Sequence, residues 1–304
     1  MRILQKAQGR WVALLVLFSA LAFLAARVGR AQEAVAVAAA SRRVVLYVGV
    51  GDDLAEYEAD VDRAILIKRS SVTLPGTVGE GWAHPSRKYL YVPWSNRARR
   101  LSGLSAFSID PISGALSPDG EPATLPSSAS YVTGDISGTH LLVSYGNPAG
   151  VTVHRIAQNG AIGSQVEQGP LDVGIVGHQV RVNPSNTAVI LVTRGNYTDE
   201  QYPNLDSPRG LKILQPGALK IFSYKDGVLA NQASIAPGGG FGFQARHLDF
   251  HPSQPWVFLT LEPQNKLYVY KEWKDGTLSS EPLFIKETLA DPANVRPMQH
   301  TGTI

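Results

Sequence analysis

The sequence predicts an all-β protein of the β-propeller class, and three observations carry that expectation. From position 44 onward the apolar residues come in short, β-branched or aromatic runs, such as 44–48, 89–92 and 189–192, each bounded by Gly, Pro, Asn or Ser. Outside the first 30 residues no segment keeps a 3.6-residue period for three turns. A pair of short motifs then recurs along the chain, and units of roughly 40–50 residues built from four short strands are the signature of propeller blades.

The first motif is a turn followed by a buried strand. It reads His84-Pro85-Ser86 before Tyr89-Leu90-Tyr91-Val92, Asn183-Pro184-Ser185 before Val189-Ile190-Leu191, and His251-Pro252-Ser253 before Trp256-Val257-Phe258-Leu259. A weaker copy runs from Asp135-Ile136-Ser137 into Leu141-Leu142-Val143. The second motif is a strand, a turn glycine and a new strand. Its glycines are Gly114, Gly160, Gly227 and Gly276, spaced 46, 67 and 49 residues apart. The long interval contains an insertion at 196–215, rich in Asn, Asp, Pro and Tyr, which reads as a loop on one face. The charged stretch 54–68 reads as strand. The expected blades are 44–75, 82–125, 131–170, 178–236 and 246–289. Residues 298–304 read as the start of a sixth, so the chain looks truncated at its C-terminus.

The N-terminus has a different pattern. Arg2, Lys6 and Arg10 precede an uncharged apolar run at 11–26, and small residues follow at Gly29, Ala31, Ala34 and Ala36. This is the three-part arrangement of a secretory signal at 1–31, with cleavage expected after Ala31 and a flexible lead-in at 32–43. The run is shorter than the roughly 20 residues a spanning helix needs. An uncleaved membrane anchor is the alternative. The expected location is periplasmic or secreted, with no stable membrane insertion once the signal is removed.

Composition narrows the function classes. The chain has 304 residues, 44% of them hydrophobic and 17% charged, which excludes a disordered polymer. It has no cysteine, which excludes disulfides, thiolate catalysis and cysteine-bound metals. The formal charge of +3 belongs largely to the leader: cleavage removes five of the 28 basic residues and none of the 25 acidic ones, leaving −2. Nucleic acid is therefore not an expected partner. The cluster Arg97, Arg99 and Arg100 with Trp94 reads as a solvated loop.

Several residues resemble a known family. The segment Phe243-Gln244-Ala245-Arg246-His247-Leu248-Asp249-Phe250-His251-Pro252 resembles the Gly-Pro-Arg-His…Phe-His-Pro signature of the lactonase family of seven-bladed propellers. That family includes propeller-type 6-phosphogluconolactonases and fungal carboxy-muconate cyclases. Gly177-His178 followed by Asn183-Pro184, and Leu261-Glu262-Pro263-Gln264-Asn265, resemble two further family segments. Gln244-Ala245 departs from the family's Gly-Pro, and Thr193-Arg194-Gly195-Asn196 departs from its Asp-Leu-Gly.

The resemblance implies a site built from His178, Arg246 and Glu262. His178 would be the general base, Arg246 the carboxylate clamp or oxyanion stabiliser, and Glu262 an orienting or proton-shuttling group. His247, Arg194 and Asn196 are candidates for substrate contact. The implied reaction is hydrolysis or formation of the lactone ring of a small anionic sugar- or muconate-type compound, with no cofactor. The same propeller could instead bind a protein or envelope polymer without catalysis, or be an inactive fragment. His84 and His251, repeated in turns, read as structural. Asp52, Asp53, Glu56 and Glu58 form an acidic cluster without an EF-hand pattern, so no metal is expected. Gly238-Gly239-Gly240 lacks the Lys-Ser/Thr of a phosphate loop and reads as a tight turn.

Overall fold

The computed structural model describes residues 44–196, 215–262, 264–293 and 299–304. The expected leader and lead-in, and the body of the 196–215 insertion, lie outside the described residues. What is described is β-sheet throughout, apart from one short 3-10 turn at Pro237–Gly240.

Five sheets follow one another in chain order. The first holds β1 (Val44–Val50), β2 (Asp53–Asp60) and β3 (Ile65–Thr73). The second holds β4 (Thr77–Val78), β5 (Trp82–Ala83), β6 (Tyr89–Asn96), β7 (Leu101–Ile109), β8 (Leu116–Pro118) and β9 (Ala123–Thr124). The third is β10 (Ala129–Gly134), β11 (His140–Tyr145), β12 (Gly150–Ile156) and β13 (Ile162–Gln165). The fourth is β14 (Gly177–Val182), β15 (Ala188–Thr193), β16 (Ala218–Lys225) and β17 (Val228–Ile235). The fifth is β18 (Ala245–Phe250), β19 (Trp256–Leu261), β20 (Lys266–Lys271) and β21 (Phe284–Glu287). The last three are antiparallel meanders in simple strand order, the repeating unit of a propeller.

By internal contacts the described chain divides into two units. One comprises 44–47 and 56–69. Within it Arg69 Nη2 pairs with Glu58 at 2.9 Å, while Ile65, Leu66 and Ile67 are exposed. The other comprises 48–55 and 70–304 and contains the second to fifth sheets and the candidate site.

Alternation explains why these sheets stack. All six residues of β15 are buried, because the strand is covered on both faces. Val189 and Leu191 join a core with Leu142, Val153 and Val180, whereas Ile190 and Val192 join another with Leu248, Leu259 and Tyr270. A side-chain period of two thus feeds one strand into two cores. Each core lies between consecutive sheets, and each fully buried aliphatic side chain there is worth about 1.5–3 kcal/mol.

The two repeated motifs meet across these interfaces. The turn glycine of one sheet lies against the residue that opens an inner strand, β6, β11 or β15, of the sheet before it. Gly160 faces Tyr89, Gly227 faces His140, and Gly276 faces Ala188. A Cβ on Gly276 would stand 2.3 Å from the Ala188 Cβ, and its φ of +81° favours glycine independently. Tyr91 Oη donates to Gly160 O at 2.8 Å and Gln168 Nε2 to Gly227 O at 2.9 Å, which fastens the same turns.

The Pro-Ser turns are themselves polar clasps. Asn183 Oδ1 accepts the N–H groups of Thr187 and Ala188 at 2.8 and 2.9 Å. Asp135 does the same with Thr139 and His140 at 2.7 and 3.1 Å, and Tyr224 of the next sheet donates to it at 3.1 Å. Burial would raise the Asp135 carboxyl, but the hydrogen bonds from Ser137, His140 and Thr139 outweigh it and hold the pKa low. The histidines of this motif serve the turns. His84 Nδ1 meets Ser86 Oγ at 2.7 Å and its Nε2 meets Gly138 O at 2.9 Å, and His251 Nδ1 accepts two backbone N–H groups.

Candidate active site

The first strand of each of the last three sheets carries one extra residue at the same level. Ala129, Gly177 and Ala245 are equivalent, since each pairs with the last residue of its sheet's second strand: Tyr145, Thr193 and Leu261. Immediately after them the register slips in β10, β14 and β18 alike. The residues at the slip are Ser130 in β10, His178 in β14, and Arg246 with His247 in β18. Bulges of this kind re-aim side chains and recur beside active sites. The sequence expectation opened blades at 178 and 246, with no strand assigned to His178, Arg246 or His247. All three lie inside strands, at bulges that interrupt the alternation by which a strand is recognised.

Neighbouring first strands are tied together. Gln179 Oε1 accepts the Leu248 N–H at 2.6 Å, and Arg181 Nη2 donates to Asp249 Oδ1 at 2.6 Å. This brings His178 beside the bulge of the next sheet. The rings of His178 and His247 stand edge to face with centroids 4.8 Å apart, and Tyr131 meets His247 at 6.2 Å.

Arg194 and Glu262 form a second set of equivalent positions. Each follows the last residue of a second strand. Each donates its backbone N–H to a residue in the left-handed region just before a first strand: Arg194 to Val176 (φ 56°) at 2.9 Å, and Glu262 to Gln244 (φ 38°) at 3.2 Å. The Glu262 carboxylate, with a side chain 12% exposed, gathers three partners. Arg246 Nη1 pairs with its Oε1, Arg194 Nη1 lies 3.5 Å from Oε2, and His300 Nδ1 lies 3.3 Å from Oε1.

His300 is the residue that sequence reading missed. Residues 298–304 read only as the approach to another repeat, although an imidazole opening a repeat was already a site signal at His178. The segment is held by Thr301 N–H to Glu262 O at 3.2 Å and by Asn265 Nδ2 to Gln299 O at 2.9 Å. Asn196, a candidate for substrate contact, has a different attachment. Its Nδ2 donates to Gln215 Oε1 at 2.8 Å, closing the base of the insertion two residues beyond Arg194.

Burial sets the electrostatics. Desolvation first, then the guanidinium of Arg246 and the neighbouring His247 and Arg194, push the His178 pKa down to about 3. Burial and then Arg246 lower His247, against the opposing effect of Glu262. Both imidazoles are neutral at neutral pH. Two guanidinium groups face one carboxylate, so the site keeps a surplus of positive charge. Most of the buried side-chain polar atoms without a hydrogen-bond partner among the described residues fall here. They include His178 Nδ1, Arg246 Nε, His247 Nδ1 and Glu262 Oε2, while both amide atoms of Gln244, two residues before Arg246, are unpartnered as well. Such atoms persist where a polar ligand or solvent completes them.

The remaining polar clusters are engaged elsewhere. Asp53 accepts from Thr73 at 2.6 Å and Asp52 from Thr77 at 3.2 Å. Among the described residues no group of three or more His, Asp or Glu is disposed to hold a metal ion. Trp94 donates its indole N–H to Ser105 at 3.0 Å, and Arg97 lines a separate cavity of about 390 Å³ with Asp52, Thr77 and Asn96.

Comparison with known proteins agrees with this architecture. No family model matches the chain. It is 28% identical over 202 residues to the 6-phosphogluconolactonases of Pectobacterium atrosepticum and Pectobacterium carotovorum, covering 66% of this chain and 52% of each relative. The chain thus spans about half the length of the curated relatives it matches. Among solved structures it is similar to the periplasmic gluconolactonase of Pseudomonas aeruginosa, with a TM-score of 0.57 and 17% identity over 81% of this chain and 68% of that one. A provisionally assigned 6-phosphogluconolactonase of Bacteroides uniformis gives a TM-score of 0.59 and 13% identity over 81% and 71%. The chain has the all-β fold of lactonase-like propeller proteins and resembles 6-phosphogluconolactonases in sequence.

Proposed function

We propose that this site opens the ring of a hydroxylated lactone by attack of water. The observation that carries the reading is the convergence of His178, Arg194, Arg246 and Glu262 at one level of two adjacent sheets, joined by His300 from the C-terminal segment. Arg246 faces the carbonyl oxygen as it becomes an oxyanion, with its guanidinium held in place by Glu262. His178 takes the proton of the attacking water. The C–O bond to the ring oxygen then breaks, and that proton passes to the departing alkoxide. The product is a hydroxy acid whose new carboxylate suits the surplus positive charge.

The low proton affinity of His178 fits this sequence of events. The cations that hold it down include the groups that receive the oxyanion. As the anion forms it cancels part of that field, and His178 gains basicity when the proton must move. A second assignment of the base rests on the His300–Glu262 contact, in which a carboxylate orients an imidazole through Nδ1.

The test is lactone hydrolysis followed by acid release, comparing the wild type with His178→Ala, Arg246→Ala and His300→Ala. Loss of about 10²-fold or more in kcat for His178→Ala and Arg246→Ala supports the reading. A larger loss for His300→Ala than for His178→Ala transfers the base to His300. Equal rates in all four proteins sink the enzymatic reading. An extracytoplasmic location belongs to the same proposal and rests on the leader pattern at 1–31.

A further inference from the structure

Gln244 combines two costs. It is a non-glycine residue at φ 38°, in the left-handed region where a β-carbon is disfavoured. Its side chain is also sequestered, with the residue 1% exposed and neither Nε2 nor Oε1 hydrogen-bonded among the described residues. A buried amide left in that state costs free energy at both atoms. Strain and an unpaired polar group at one position mark a place kept for something other than stability.

The backbone role of the position does not explain the side chain. Val176, its equivalent in the preceding sheet, has φ 56° and accepts the Arg194 N–H through its carbonyl, as Gln244 accepts that of Glu262. An apolar residue therefore makes the same turn. The amide is the part that differs, and Gln244 stands two residues before Arg246, with its own backbone carbonyl accepting the Glu262 N–H.

We infer that Gln244 is a substrate-binding residue that reads the hydroxyl groups of the ligand at the Arg246–Glu262 site. This rests on the lactone reading above and adds to it the determinant of specificity. The chemistry of the amide selects hydroxyls. It offers a donor and an acceptor side by side, and a hydroxyl, or two on neighbouring carbons, answers both. A carboxylate or phosphate oxygen would satisfy Nε2 and confront Oε1 with negative charge. The anion therefore belongs to the arginines and the polyol portion to Gln244.

The experiment measures binding of two open-chain hydroxy acids to the intact chain by calorimetry. Gluconate carries hydroxyls along its chain, and 5-hydroxypentanoate carries one at its end. The variants are Gln244→Leu, which keeps the bulk, and Gln244→Gly, which also suits the backbone. The wild type is expected to prefer gluconate. Both variants are expected to weaken gluconate by about tenfold or more while changing 5-hydroxypentanoate by less than about threefold, so the preference collapses. The thermal midpoint of Gln244→Gly should rise, because the strain and the buried amide are both removed. If gluconate binds the wild type and both variants equally, Gln244 is not a specificity residue and the lactone reading survives. If neither acid binds the wild type and no lactone is hydrolysed, both readings fall together.

Discussion

Arg194 and Glu262 occupy the same position in consecutive sheets, and their side chains meet at 3.5 Å. The propeller repeat therefore supplies both members of an ion pair from one structural slot. Arg246 completes the arrangement on the other carboxylate oxygen.

Removing the carboxylate charge from this trio should be costly. In Glu262→Gln two guanidinium groups lose their shared counter-charge in a largely buried place. The groups keep some solvent contact, so the expected loss is about 1–3 kcal/mol in urea unfolding, below that of a fully buried pair. The kcat for lactone hydrolysis should fall with it. Unchanged stability would mean that Arg194 and Arg246 do not depend on Glu262.

Acid should destabilise the protein through His178 and His247. Both are held neutral in the fold, His178 with a pKa of about 3, whereas an unfolded imidazole titrates near 6.5. In that window the unfolded chain binds more protons, so stability is complete above about pH 6.5 and declines as pH falls toward the folded value. Urea midpoints measured from pH 7 to pH 4 should decrease, and His178→Asn should flatten the slope.

The inter-sheet clasp predicts a contrast between glycines. Gly276→Ala forces a Cβ onto Ala188 at 2.3 Å from a φ of +81°, and should cost about 2–4 kcal/mol. Gly169→Ala meets nothing within 4 Å and should be neutral or slightly stabilising. Denaturation curves of the two variants check the difference.

Cleavage after Ala31 is expected on export. N-terminal sequencing of the protein recovered outside the cytoplasm should begin at Gln32. A chain retaining Met1 in the membrane fraction would favour the anchor.

The sequence made some of this architecture legible and left the rest obscure for physical reasons. The Pro-Ser turns and the glycines at 114, 160, 227 and 276 marked the repeat, because each needs a special local conformation. His84 and His251 could be assigned to turns because the motif repeats. His178, Arg246 and Glu262 stood out by family likeness alone. Their convergence depends on register and bulges, which no local periodicity encodes. The pairing of Arg194 with Glu262 appears only once Thr193 and Leu261 are seen to end equivalent strands. His300 was overlooked because its contact with Glu262 is long-range in sequence and nothing in its own neighbourhood announces it.

The repeated slip after Ala129, Gly177 and Ala245 has a consequence for how such a site changes over time. Pairing resumes in register beyond the slip, so the side chain there is no longer bound to the alternation that its neighbours follow. Ser130, His178 and the pair Arg246 and His247 occupy one recurring socket. Exchanging its contents alters the chemistry presented by the scaffold while the stacked cores remain untouched.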